Sequence, residues 1–198
     1  MEDVYDVVKV PSAVLKETAH VIEDIDHDIQ LQIKKMINTM YKDAGIGLAA
    51  NQVGILNRMF VMDLPEGSWE YAGTKGGVKI IEAGYKSGNR DQELVRNPQV
   101  FINPEVIWES GQKSVYEEGC LSIPGQYGEV VRPCEIKVQF QNGEGTTEVK
   151  EFHGLDAHCV QHEIDHLNGV LFIDYLSSLK RNMILKKMKK LQKDATAL

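Results

Sequence analysis

Five consecutive residues, His162-Glu163-Ile164-Asp165-His166, constrain this chain more than any other feature of its sequence. Residues four apart on an α-helix lie one turn above each other on the same face. His162 and His166 can therefore offer two imidazole nitrogens to one metal ion, and the fold has to be built around the helix that carries them. Glu163 stands a little to one side of that stripe, within reach of a water held by the metal. A metal lowers the pKa of such a water from ~15.7 to roughly 7, and a nearby carboxylate can then move its protons. Two ligands and a base do not complete a centre, because a catalytic site of the zinc type has three protein ligands and an open fourth position. The identity of the third ligand decides the function.

Three side chains compete for that place. His158 precedes His162 by four residues, but at ~1.5 Å per residue it stands about 12 Å from His166 along the axis, too far to share one ion. Pairing His158 with His162 instead would strand His166. Cys159, three residues before His162, reads as a buried core cysteine. Cys120 sits in Glu118-Gly119-Cys120-Leu121-Ser122-Ile123-Pro124, where Gly119 frees the backbone to bend and Pro124 stops regular pairing. It is thus presented at an irregular turn or strand edge, from which a side chain can be aimed at a site. Alone, Cys120 would read as a small buried hydrophobe; the half-site on the helix gives it weight as a ligand.

A length of 198 residues suits one domain, 1–198, able to bury a core without staples. Hydrophobic residues at 42% and charged residues at 26% are ordinary for a soluble globular chain. No apolar run approaches the ~18 residues that span a bilayer. The start, Met1-Glu2-Asp3-Val4-Tyr5-Asp6, is acidic where a signal or transit peptide is basic. The expectation is a cytoplasmic protein with no membrane association. Three cysteines, Cys120, Cys134 and Cys159, form no disulfide framework. The net charge of −7 speaks against bulk nucleic-acid binding, and no specific DNA binding is expected. That charge is uneven: residues 180–198 hold seven Lys/Arg and one Asp, a net +6, which leaves −13 on residues 1–179.

Periodicity places the elements. Ile29, Ile33, Met36, Ile37 and Met40 predict a helix over about residues 26–42, capped by Asp24 or Asp26 and ending before Gly45. Residues 58–63 and 100–103 read as strands, and 134–141 with 146–152 as a hairpin around Asn142-Gly143. The motif helix should run over about 156–167 and stop at Asn168-Gly169. A final helix, about 174–193, carries Leu176, Leu179, Met183, Ile184, Met188 and Leu191 on one side. About 66–97 reads as a surface insertion, either with its own hairpin or partly mobile. Small antiparallel sheets around a central motif helix, with an N-terminal and a C-terminal helix, make the expected class α+β.

One more stretch is chemically suggestive. Gly45-Ile46-Gly47-Leu48-Ala49-Ala50-Asn51-Gln52-Val53-Gly54 keeps side-chain bulk low, so a ligand or another backbone can approach closely. Gln52 adds a neutral amide that donates a hydrogen bond without charge. The layout is not that of a phosphate loop.

Taken in order, Gly45–Gln52, Glu118–Ser122 and Gln161–His166 resemble the three motifs of the peptide deformylases, and the likeness runs from about Val10 to Asp174. The resemblance implies that Cys120, His162 and His166 bind one divalent metal, natively Fe²⁺, with Zn²⁺, Ni²⁺ or Co²⁺ possible in preparations. It implies a water or hydroxide in the fourth position and removal of the N-formyl group from the initiator methionine of nascent proteins. Glu163 would be the general base and then acid. The Gln52 amide and the Leu121 backbone N–H would stabilise the oxyanion, and the backbone at Ile46 and Gly47 would flank the substrate. The basic C-terminal helix would contact the ribosome. The sequence departs from the family pattern in the length of the 66–97 insertion, expected to lie outside the chemistry. It also departs at Asn51, where Pro or Thr is common and a turn should tolerate the change. The third departure is Tyr127, which replaces a common Arg near the cleft mouth and bears on peptide contacts beyond the methionine. Two other classes share the helix motif. A zincin-like metallopeptidase would take its third ligand from the C-terminal side. A non-catalytic metal-binding, ribosome-associated module would need a fourth protein ligand such as Cys159.

Overall fold

The computed structural model describes residues 3–65, 68–83 and 96–196. Its centre is a five-stranded sheet in the order β1 (Gly47–Ala49), β2 (Met59–Met62), β5 (Gln99–Glu109), β8 (Glu135–Gln141), β9 (Thr147–His153), with every neighbour antiparallel. The hairpin expected at Asn142-Gly143 joins β8 to β9, and the Asn142 side chain accepts from the backbone N–H of Glu144 and Thr146 to close the turn.

Both faces of this sheet are covered. Phe60 and Met62 of β2 pack toward helix α2 (Gly154–Leu167), with Phe101, Phe140, Phe152, Val160 and Ile164. Met59 and Val61 alternate to the opposite face and meet helix α1 (His27–Lys42) through Ile33, Met36 and Met40. A strand buried on both sides reads as an unbroken apolar run, as Met59–Met62 does. The Phe60 and Phe101 rings stack at 4.4 Å between centroids. Helix α1 starts at Asp26, whose side chain accepts from the Ile29 N–H at 2.9 Å.

The second sheet runs β3 (Trp69–Lys75), β4 (Val78–Ala83), β6 (Lys113–Gly119), β7 (Tyr127–Pro133). The expectation of antiparallel sheets needs one correction here: β4 and β6 are parallel. The long connection from β4 through β5 brings the chain back in the same direction, which a tight hairpin cannot do. The described part of the 66–97 insertion is the β3–β4 hairpin. It reaches the motif helix, because the Trp69 indole N–H donates to Asp156 at 2.8 Å and its ring fills the space where a side chain at Gly154 would stand. Residues 66–67 and 84–95 of that stretch lie outside the described residues.

The C-terminal helix α3 spans Ser178–Thr196 rather than 174–193. Phe172–Tyr175 forms a separate single turn in which Asp174 accepts from the Leu171 N–H, and Leu176 is extended. Leu176 is pulled out of the expected helical stripe because its side chain lies on Gly128 of β7. Ile184 and Met188 dock α3 onto Val10, Leu15, Ile123, Val130 and Phe172, whereas Leu179, Met183 and Leu191 stay exposed. Among the described residues no helix is long and apolar enough to cross a membrane.

Candidate metal centre

Helix α2 is buried along most of its length, so its histidine face is held by packing. Strand β6 ends at Gly119 and the chain turns at once, the Ile123 N–H donating to the Cys120 carbonyl at 2.9 Å. That turn delivers Cys120 to the helix. The ligand atoms of Cys120, His162 and His166 lie within 4.8 Å of one another. Cys120 Sγ is 3.2 Å from His166 Nε2, and the two imidazoles meet edge to face at 4.9 Å. Lone-pair atoms this close require a proton or a cation between them.

The electrostatics favour a positive charge at that point. Burial works against protonation of both histidines, but Cys120 and Glu118 overcome it at His162 and hold its pKa well above the ordinary value. Burial and the neighbouring His162 push His166 well below. One soft thiolate and two imidazoles are a donor set suited to a divalent transition metal.

Glu118, two residues before Cys120 on β6, is the carboxylate that orients His162: Oε2 is 2.9 Å from His162 Nδ1. Burial alone would raise its pKa, but hydrogen bonds from His158, His162 and Arg132 hold it well below the carboxylate range. An ionised Glu118 can only accept, so His162 donates from Nδ1 and presents Nε2 to the cluster, where a metal would displace its proton. Arg132, 3% exposed, grips Glu118 with Nε at 2.6 Å and Nη2 at 3.0 Å, and reaches Asp165 with Nη1 at 2.7 Å. Arg132 is thus buried within the site. Glu118 was not singled out at all. The available signal was its place two residues before Cys120, on one face of a strand.

Glu163 lies against Gly47, where a β-carbon would overlap its Oε1. Its Oε2 is buried and has no partner among the described residues. Burial pushes its pKa up to about 7; a cation beside it would draw that value down. Gln52 Oε1 accepts from the Ala49 N–H at 2.8 Å, which turns Nε2 toward Cys120 Sγ and Ser122 Oγ, each at 3.4 Å. Leu121 follows Cys120, and its carbonyl is held by Lys9 Nζ at 2.7 Å, an anchor the sequence did not reveal. Ile46, Gly47, Gln52, Cys120, Leu121 and Glu163 all border one cleft of about 710 Å³, with Tyr127 at its exposed edge.

The other candidates fall elsewhere. His158 is fully buried and both ring nitrogens are occupied, by Glu118 and Ser114. Cys159 faces the Ile46 carbonyl, and burial followed by the charge of Glu163 holds its thiol well above the ordinary pKa. It therefore makes a poor fourth ligand. Asn51 is fully buried rather than at a permissive turn, its amide donating to the Glu17 carbonyl at 2.8 Å.

The sequence profile of the polypeptide deformylases matches residues 4–182. The chain belongs to the peptide deformylase family. It is 44% identical to the peptide deformylase of Zymomonas mobilis over 187 residues, 94% of each chain. It is also 44% identical to that of Rhizobium meliloti, over 92% of this chain and 91% of the relative. The crystal structure of the Ehrlichia chaffeensis peptide deformylase superposes with a TM-score of 0.81 at 36% identity, covering 98% of this chain and 99% of that one. Peptide deformylases are metal-dependent hydrolases that remove the N-formyl group from nascent peptides, and the peptidase and non-catalytic readings are not favoured. The Cys120–His162–His166 cluster is a possible metal site of that kind.

Proposed function

We propose that Cys120, His162 and His166 hold one divalent metal, natively Fe²⁺, and that the chain uses it to deformylate the initiator formyl-methionine of nascent proteins in the cytoplasm. The observation that carries this reading is the convergence of three donor atoms within 4.8 Å beside a buried carboxylate oxygen that no described protein group satisfies. When bound, the metal supplies a Lewis acid that polarises the formyl oxygen and acidifies a water.

The chain's own groups do the rest. Ile46 and Gly47 present backbone to the substrate chain, and the missing side chain at Gly47 lets both substrate and Glu163 approach. Glu163 takes a proton from the attacking water onto Oε2 as the new C–O bond forms. The Gln52 amide and the Leu121 N–H donate to the formyl oxygen as it becomes an alkoxide; one such donor is typically worth ~2.7–4 kcal/mol of barrier. Glu163 then passes its proton to the departing nitrogen as the C–N bond breaks, giving formate and a free amine. The thiolate of Cys120 also makes the centre prone to oxidation.

The test is formate release from a formyl-Met peptide under anaerobic conditions with Fe²⁺ restored. Activity that survives without oxygen and decays in air, with Zn²⁺, Ni²⁺ or Co²⁺ forms outlasting Fe²⁺, is expected. An inert anaerobic Fe²⁺ form would overturn the activity.

We also propose that α3 docks on the ribosome. Exposed Leu179 and Met183, with Lys186, Lys187, Lys189 and Lys190, give it an apolar and basic outer surface on an otherwise acidic chain. Because Ile184 and Met188 belong to the core, deleting residues 180–198 would disturb the fold, so charge reversal is the cleaner probe. Replacing those four lysines by Glu should weaken co-sedimentation with ribosomes, and binding of the unaltered chain should fall steeply with salt. Unchanged binding in the variant removes the idea.

A further inference from the structure

Glu118 carries a second histidine besides His162. His158 is 1% exposed, with Nδ1 3.2 Å from Glu118 Oε1 and Nε2 3.0 Å from Ser114 Oγ. Since the ionised carboxylate has no proton to give, His158 Nδ1–H donates to it. In a neutral imidazole the other nitrogen is then an acceptor, and the Ser114 hydroxyl donates to Nε2. Ser114, Tyr116 and Glu118 alternate along β6 and so share the face turned to α2. The Tyr116 ring stands edge-on to the His158 ring, with centroids 6.1 Å apart and planes at 76°. His158 is thus fixed in both position and tautomer.

The carboxylate is filled symmetrically. Oε1 accepts from Arg132 Nε and His158 Nδ1, and Oε2 accepts from Arg132 Nη2 and His162 Nδ1. Arg132 alone would let the carboxylate pivot about the guanidinium fork. A second donor on the outer side of Oε1 fixes its plane, and that plane sets where Oε2 meets His162. We propose that His158 is a positioning residue for the metal centre, acting through Glu118 to aim His162 Nε2 at the point shared with Cys120 and His166. This rests on the reading of His162 as a ligand.

His158 also borders the cleft, so a plain role as pocket wall makes a competing prediction. A wall residue changes KM for the peptide; a residue acting through Glu118 changes metal affinity and kcat. The experiment uses His158→Leu, His158→Asn, Ser114→Ala and His162→Ala, with Co²⁺ affinity measured by chelator competition in the absence of peptide. The kcat and KM for formyl-Met peptide are then measured at saturating Co²⁺.

His158→Leu should bind Co²⁺ about tenfold more weakly, the low end for losing a group behind a ligand histidine, because Arg132 still holds the carboxylate. KM should stay at its wild-type value. His158→Asn, whose amide can still donate to Glu118, should recover most of the affinity. Ser114→Ala lies outside the cleft lining and should shift affinity in the same direction by less; it replaces His158→Leu as the deciding variant if the latter does not fold. Wild-type Co²⁺ affinity in the deciding variant, or a change confined to KM, overturns the inference. The two readings fail separately: His162→Ala with wild-type affinity sinks the ligand assignment. Loss in His162→Ala without loss in the His158 and Ser114 variants sinks only the role of His158.

Discussion

Replacing Glu163 by Gln is expected to slow formate release by about two to four orders of magnitude, the usual contribution of a positioned general acid–base, while metal content stays unchanged. Glutamine keeps the shape and both polar atoms of the side chain but cannot accept the proton of the attacking water. Among the described residues Glu163 Oε2 is buried without a partner, and the nearest cysteine on the helix, Cys159, is held as a thiol. Gly47 explains why the carboxylate sits where it does, since any side chain there would displace it. The measurement is single-turnover formate release by metal-loaded protein beside elemental analysis of the same samples. A Gln variant that keeps full activity means that Glu163 is not the base. A variant that loses its metal means that the carboxylate shapes the centre instead.

Much of this was legible from the sequence because the decisive signals were local. The four-residue spacing of His162 and His166 needs only helical geometry, and the Asn142-Gly143 hairpin needs only turn chemistry. Cys120 was legible as a ligand candidate because Gly119 and Pro124 bracket it, and β6 does end at Gly119. The strands on either side of that turn were not read. In β6 and β7 one charged residue falls on the buried face of each strand, Glu118 and Arg132, and the two mask the apolar alternation that marks a strand. Their burial is meaningful only as a pair, and pairing 14 residues apart follows from register, not from composition. The reach of Trp69 to α2 was hidden for the same reason, because a contact 87 residues long is set by the return of the sheet. Leu176 shows the opposite error: its spacing fits the last helix, but a tertiary contact with Gly128 outweighs that local preference.

The buried ion network allows stability and metal holding to be separated. Arg132 is 4% exposed by side chain and balances both Glu118 and Asp165. Arg132→Met should cost about 3–5 kcal/mol of folding stability in the metal-free protein, because it leaves a buried carboxylate without its cation. The loss should also depend on pH. A carboxyl held well below its ordinary pKa, as Glu118 is, contributes stability that is complete above the unfolded value and is lost progressively as pH falls from there through the lowered folded value. Without Arg132 that folded value rises toward the unfolded one, so the variant should lose less stability on acidification than the wild type, and the gap between the two should narrow as pH falls. Urea titrations at neutral pH and at stepped acidic pH check both points; a change under about 1 kcal/mol would place the pair among weak surface bridges. Adding Glu118→Leu to Arg132→Met removes the stranded charge and should restore part of the stability, as apolar replacement of buried ion pairs can. It should not restore metal binding, because His162 Nδ1 then has no acceptor to set its tautomer. Recovery of both together would mean that Glu118 serves the fold alone.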